Sequence, residues 1–197
     1  MRAHLILASS SPYRRALLDR LQVPYGIVAP NVDETALAGE RPAATALRLA
    51  ASKARAVAQS SSAAVVIGSD QVAVLDDRPL GKPGHHDAAL EQLMALRGRA
   101  AVFHTAVAVL DVARDNLQLE NVPTTVHFRN YTAAQARRYL ELERPYDCAG
   151  SAKIESLGIA LVDRVESSDP TALIGLPLIA LVGMLARAGI EILAQGD

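Results

Sequence analysis

Hydrophobic and polar positions change period several times along this chain, and each change marks an element. Short apolar runs at residues 5–8 and 63–67 have the length and composition of buried strands. A further short strand is expected at 26–29. Between them Ser11-Pro12 opens a helix, with serine as N-cap, proline in the first turn, and Leu17, Leu18 and Leu21 on one face. Helical spacing returns at 41–59, where Leu47, Leu49, Ala50, Ala54 and Val57 recur in an alanine-rich stretch. Ser60-Ser61-Ser62 connects this helix to the next strand.

Further on, residues 72–75 continue as strand into a turn at Asp76-Asp77. Asp87 is expected to cap a helix through Leu96, with Leu90, Leu93 and Met94 facing inward and Gly98 as its stop. Residues 103–112, 117–121 and 124–128 are β-like and predict an antiparallel meander. Thr132 caps a helix to about Leu142, a strand is expected at 158–162, and the helix at 178–188 is apolar nearly all round.

Composition narrows the class. The chain has 197 residues, half of them hydrophobic and 21% charged, with a formal net charge of −1, which fits one soluble domain over 1–197 rather than a disordered or polyanion-binding chain. Trp is absent and no basic run interleaves with aromatics, so polymeric nucleic acid is not an expected partner. The single Cys148 excludes an intrachain disulfide and a multi-cysteine zinc site. No run has membrane-spanning length, so no membrane partner is expected, and the 5–8 run is too short for a signal peptide. The expected compartment is the cytoplasm.

Candidate chemistry gathers in six places along the chain. Residues 63–67 deliver Gly68, Ser69 and Asp70 at the expected carboxyl end of a strand, where α/β sheets place ligands. Asp70 there holds a cation, takes a proton from water, or caps a turn. Lys82, between Gly81 and Pro83, is either a phosphate-binding cation or a solvated side chain. Ser9 to Ser11 and Arg14 lie at a helix N-terminus, which suits an anion as well as plain capping. Asp33 and Glu34 are either magnesium ligands or turn residues, and Lys53 matters if its helix face looks into a cleft. Glu155 follows a small-residue loop, from which it could accept hydrogen bonds from a base edge. His85 and His86 lack the spacing of a helical metal pair.

In this order, LASSSPYRRALL (7–18), VDET (32–35), the helix with Lys53, IGSDQV (67–72), GKP (81–83), residues 129–139, the AGS loop and GLPL (175–178) resemble the Maf family of nucleoside triphosphate pyrophosphatases. The resemblance runs from Leu5 to about Leu185. It implies an α/β fold, a mixed and highly twisted central sheet flanked by helices in two lobes around a cleft, and commonly a homodimer. It also implies Asp70 as catalytic proton acceptor, with Ser9, Arg14, Glu34, Lys53 and Lys82 lining the phosphate and metal site. Glu34 and Asp70 would hold a divalent cation, Mg2+ or Mn2+. Tyr13, Gln71 and Glu155 fall at positions of substrate choice and resemble the branch acting on 7-methyl-GTP. Kept beside that reading are a dTTP and UTP pyrophosphatase of the same family, and a nucleotide-binding regulator of septum formation.

Overall fold

A computed structural model describes residues 4–59 and 63–194; the expected serine connection at 60–62 lies outside them. The class is α/β; among the described residues there are five helices and a seven-stranded sheet in which segments 26–28, 4–8, 64–75, 100–111, 116–128 and 162–167 are neighbours in that order and 78–80 pairs with 64–75. β1 (His4–Ala8) runs parallel to both β2 (Gly26–Val28) and β3 (Ala64–Leu75), whereas β3 pairs antiparallel with β4 (Arg78–Leu80). The sheet is therefore mixed. The described residues form two compact units, one from 4–59, 63–71, 105–122 and 169–194 and the other from 72–104 and 123–168.

In the first unit the alternation of each strand sorts side chains to two faces. Leu5 and Leu7 of β1, Val65 and Ile67 of β3, and Val107 and Val109 of β5 (Ala100–Asp111) are buried in one core cluster. Leu17 and Leu18 of α1 (Pro12–Leu18) join it, with Leu178, Leu181, Met184 and Leu185 of α5 (Leu178–Arg187). The opposite face of β3 meets α2 (Pro42–Ala58) at Gly68. A Cβ there would lie 2.1 Å from the Ala50 carbonyl oxygen and 2.9 Å from the Ala54 nitrogen. Only glycine admits helix backbone this close.

In the second unit α3 (His86–Leu96) buries Ala89, Leu93 and Leu96, and α4 (Ala133–Glu143) buries Ala136, Tyr139 and Leu140. Thr132 and Gln135 form a capping box on α4. β6 (Asn116–Phe128) contributes its later residues here and pairs antiparallel with β7 (Val162–Ser167).

Four expectations change. β3 does not end near Gly68 but continues to Leu75, so Asp70 sits within a strand, just past the point where Ala8 of β1 pairs with Gly68. Residues 117–128 form one strand through Pro123, because proline's φ suits extended backbone and its missing donor falls just before pairing with β7 begins at Thr124. The cap of α3 is His85, whose Nδ1 accepts from the Ala88 N–H at 3.4 Å, with Asp87 in the first turn. Residues 157–161 are a 3₁₀ turn rather than a strand. The Gly158 N–H donates to the Lys153 carbonyl at 3.0 Å, and a Cβ at Gly158 would lie 2.4 Å from that oxygen.

Candidate active site

The site in the first unit is assembled around β3. Gly68 lets α2 approach, and the approach brings Lys53, 5% exposed, onto Asp70, 7% exposed. Lys53 Nζ lies 2.6 Å from Asp70 Oδ1 and 2.6 Å from Glu34 Oε1. One buried ammonium thus joins carboxylates from two segments.

Glu34 arrives on a loop that is tied at several points. Asp33 Oδ1 accepts from the Thr35 N–H at 2.9 Å, which makes Asp33 a turn residue. Glu40 accepts from Arg48 Nε and Nη2, both at 2.7 Å, and from Thr45 Oγ1 at 2.9 Å. These bonds, the Arg48 fork first, pull the Glu40 carboxyl down to about 2. Arg48 Nη2 also donates to the Thr35 carbonyl at 3.1 Å, so α2 fastens the loop at two points that follow Glu34.

Ser9 follows directly on β1 and is buried; its Oγ accepts from the Ser11 N–H at 3.1 Å. Ser11 caps α1 as its Oγ accepts from the Arg14 N–H at 3.4 Å. Tyr13, half-buried, lies on the same first turn. Arg14 is aimed by its Nε–H, which donates to the Gly175 carbonyl at 2.9 Å. Burial lowers the Arg14 guanidinium from its ordinary value, while the charges of Asp70 and Glu34 pull it back up.

Arg14, Glu34, Lys53 and Asp70 are therefore brought together. Glu34 and Asp70 direct oxygens at one point, which Lys53 Nζ occupies here, and two carboxylates completed by water and phosphate oxygens are the donor set that Mg2+ or Mn2+ takes from protein. Among the described residues no group of three His, Cys, Asp or Glu side chains is placed to hold a metal. Two carboxylates alone would suit only a cation that takes its remaining ligands from water and substrate.

Gln71, on the face of β3 opposite Asp70, donates through Nε2 to Thr105 Oγ1 at 2.8 Å, the Leu173 carbonyl at 3.0 Å and the Ala172 carbonyl at 3.1 Å. Its amide nitrogen holds the segment before α5.

Lys82 and Glu155 belong to the second unit. Lys82 is exposed between Gly81 and a buried Pro83. Its arm is tied by Gln92 Nε2, which donates to the Gly81 carbonyl at 3.0 Å, while Gln92 Oε1 accepts from Ser151 Oγ at 2.6 Å. Gln92 so links the GKP arm to the AGS loop. Glu155 is exposed, yet nearby protein raises its carboxyl, burial first, with the Glu143 and Asp147 charges adding to it.

Sequence reasoning missed Ser69 as a support of the site, Gln92 as the link between the GKP arm and the AGS loop, and the Gly175 carbonyl as the acceptor that holds Arg14. A serine beside the expected catalytic aspartate was the available signal for Ser69, while the other two become visible only in tertiary structure.

Known proteins bear on this geometry. A family model described as Maf-like protein matches residues 4–188. A 7-methyl-GTP pyrophosphatase of Cupriavidus metallidurans is 59% identical over 188 residues, covering 95% of this chain and 94% of the relative. That of Thiobacillus denitrificans is 57% identical over 189 residues, covering 96% and 94%. That of Burkholderia orbicola is 56% identical over 198 residues, covering 98% and 94%. No described helix is long and apolar enough to cross a membrane.

Proposed function

The chain belongs to the Maf family, and we propose that it hydrolyses 7-methyl-GTP to 7-methyl-GMP and pyrophosphate. The observation that carries the chemistry is the cluster of Glu34, Lys53 and Asp70 beside Arg14.

Water attacks the α-phosphorus as Asp70 takes its proton, and the bond from that phosphorus to the bridging oxygen breaks. Pyrophosphate leaves with the bridging oxygen. Charge builds on the oxygens of the transferred phosphorus and the leaving group, and Arg14, Lys53 and Lys82 supply the positive groups that stabilise it. Glu34 and Asp70 would hold a Mg2+ or Mn2+ ion, which neutralises triphosphate charge and polarises the α-phosphate when bound. Lys53 lies at the meeting point of those carboxylates in this structure, so substrate binding with the cation is expected to draw its ammonium towards phosphate. For the base, methylation puts positive charge on the ring. Tyr13 offers an aromatic face and Glu155 a carboxylate, the two groups that favour a cationic ring over guanine.

The bond broken is read by running the reaction in water enriched in oxygen-18 and following the products by phosphorus NMR. The expected label sits on the 7-methyl-GMP phosphate, with none in pyrophosphate. Label in pyrophosphate, or release of single phosphate, would place attack at another phosphorus and remove the proposed reaction.

A further inference from the structure

The arginine of the site is held by a backbone carbonyl whose own position is set by side chains from the strand that carries Asp70. Ser69 and Gln71 flank Asp70 in β3 and, by strand alternation, point to the opposite face. There both reach the same short segment. Ser69 Oγ, fully buried, donates to the Gly175 carbonyl at 2.9 Å, the oxygen that also accepts from Arg14 Nε. Gln71 Nε2 binds the Ala172 and Leu173 carbonyls, and the buried Thr105 hydroxyl accepts from Gln71 while donating to the Ala172 carbonyl at 2.9 Å.

The far side of this segment is equally fixed. Asp169, 2% exposed, accepts through Oδ1 from the Thr171 N–H at 2.9 Å and hydroxyl at 2.7 Å, and through Oδ2 from the Ile179 N–H of α5 at 2.7 Å. Gly175 closes the turn at φ +121°, a conformation that favours glycine, and its N–H donates to the Ala172 carbonyl at 2.9 Å. A turn with so many anchors has little freedom to shift. Its carbonyl at Gly175 is a rigid acceptor.

We propose that Ser69, Gln71 and Thr105 are positioning residues that act through Arg14: they lock the 172–175 turn so that the Gly175 carbonyl orients the Arg14 guanidinium. The planar guanidinium, pinned at Nε, then presents its two terminal amino groups in a set direction to an anion. Gln71 thereby influences substrate handling without touching the base. The inference rests on the pyrophosphatase reading for the anion's identity, and on the hydrogen bonds alone for the coupling.

A double-mutant cycle tests it. Ser69→Ala leaves the Gly175 carbonyl with Arg14 as partner and removes one strut. The expected result is a fall in kcat of roughly tenfold with little change in KM, since a mis-aimed charge is felt most in the transition state. In an Arg14→Ala background the same substitution should change kcat by less than about twofold, because coupled residues are non-additive. Thr105→Val should act in the same direction and Thr105→Ser should restore activity, which gives a second route if Ser69→Ala folds poorly. Equal losses in both backgrounds, or full activity of Ser69→Ala and Thr105→Val, would overturn the proposal. Wild-type protein that releases no pyrophosphate would count against the proposed reaction instead. The coupling is then read at the Arg14 Nε–H by nitrogen-15 NMR, where Ser69→Ala is expected to shift the signal and speed its hydrogen exchange, and an unchanged signal overturns the coupling.

Discussion

Asp70→Asn should lower turnover by about 10³-fold or more while the protein stays folded. The loss of a positioned proton acceptor alone accounts for roughly 10²- to 10⁴-fold, and Asp70 is also one of the two carboxylates suited to the cation. The fold should tolerate the change because asparagine keeps an oxygen that can accept from Lys53 Nζ, and Lys53 retains Glu34 as a partner. Steady-state kinetics and a thermal melt on the same preparation check both halves. Turnover within tenfold of wild type would remove Asp70 from the chemistry, and a collapsed melt would make its role structural.

Gly68→Ala should damage stability and activity together. The new methyl carbon would stand 2.1 Å from the Ala50 carbonyl oxygen and 3.1 Å from the Ala54 Cβ, and the first contact is with backbone, which cannot rotate away. α2 must move off the sheet. Overpacking of this kind costs about 3 kcal/mol, which lowers Tm by roughly 6–12 °C for a chain of this size. Since Lys53 is carried by the displaced turns, kcat should also fall, by about tenfold or more from misplacement of its ammonium. A melt and a kcat unchanged from wild type would mean that α2 does not approach β3 as closely as the structure places it.

What the sequence made legible was local. Ser11 with Pro12, and Thr132 with Gln135, announce helix starts by their own hydrogen bonding, and the apolar runs of β1 and β3 announce buried strands. The continuation of β3 beyond Gly68 was hidden, because a glycine inside a strand and a glycine ending one look alike until the helix packed against it is known. Pro123 misled in the same way, since the partner strand that decides whether its missing N–H matters lies some forty residues away. At the site, the family pattern singled out Arg14, Glu34, Lys53 and Asp70. What fastens them was not visible: the Gly175 carbonyl meets Ser69 across 106 positions of sequence, and no local pattern encodes that meeting.

The central claim is tested most directly by pyrophosphate release from 7-methyl-GTP, GTP, dTTP, UTP and CTP at equal concentration, with Mg2+ and purified protein. The prediction is a kcat/KM for 7-methyl-GTP about tenfold or more above each of the others, the scale on which a charged contact to the base discriminates. Preference for dTTP or UTP, or equal rates on GTP and 7-methyl-GTP, would contradict it.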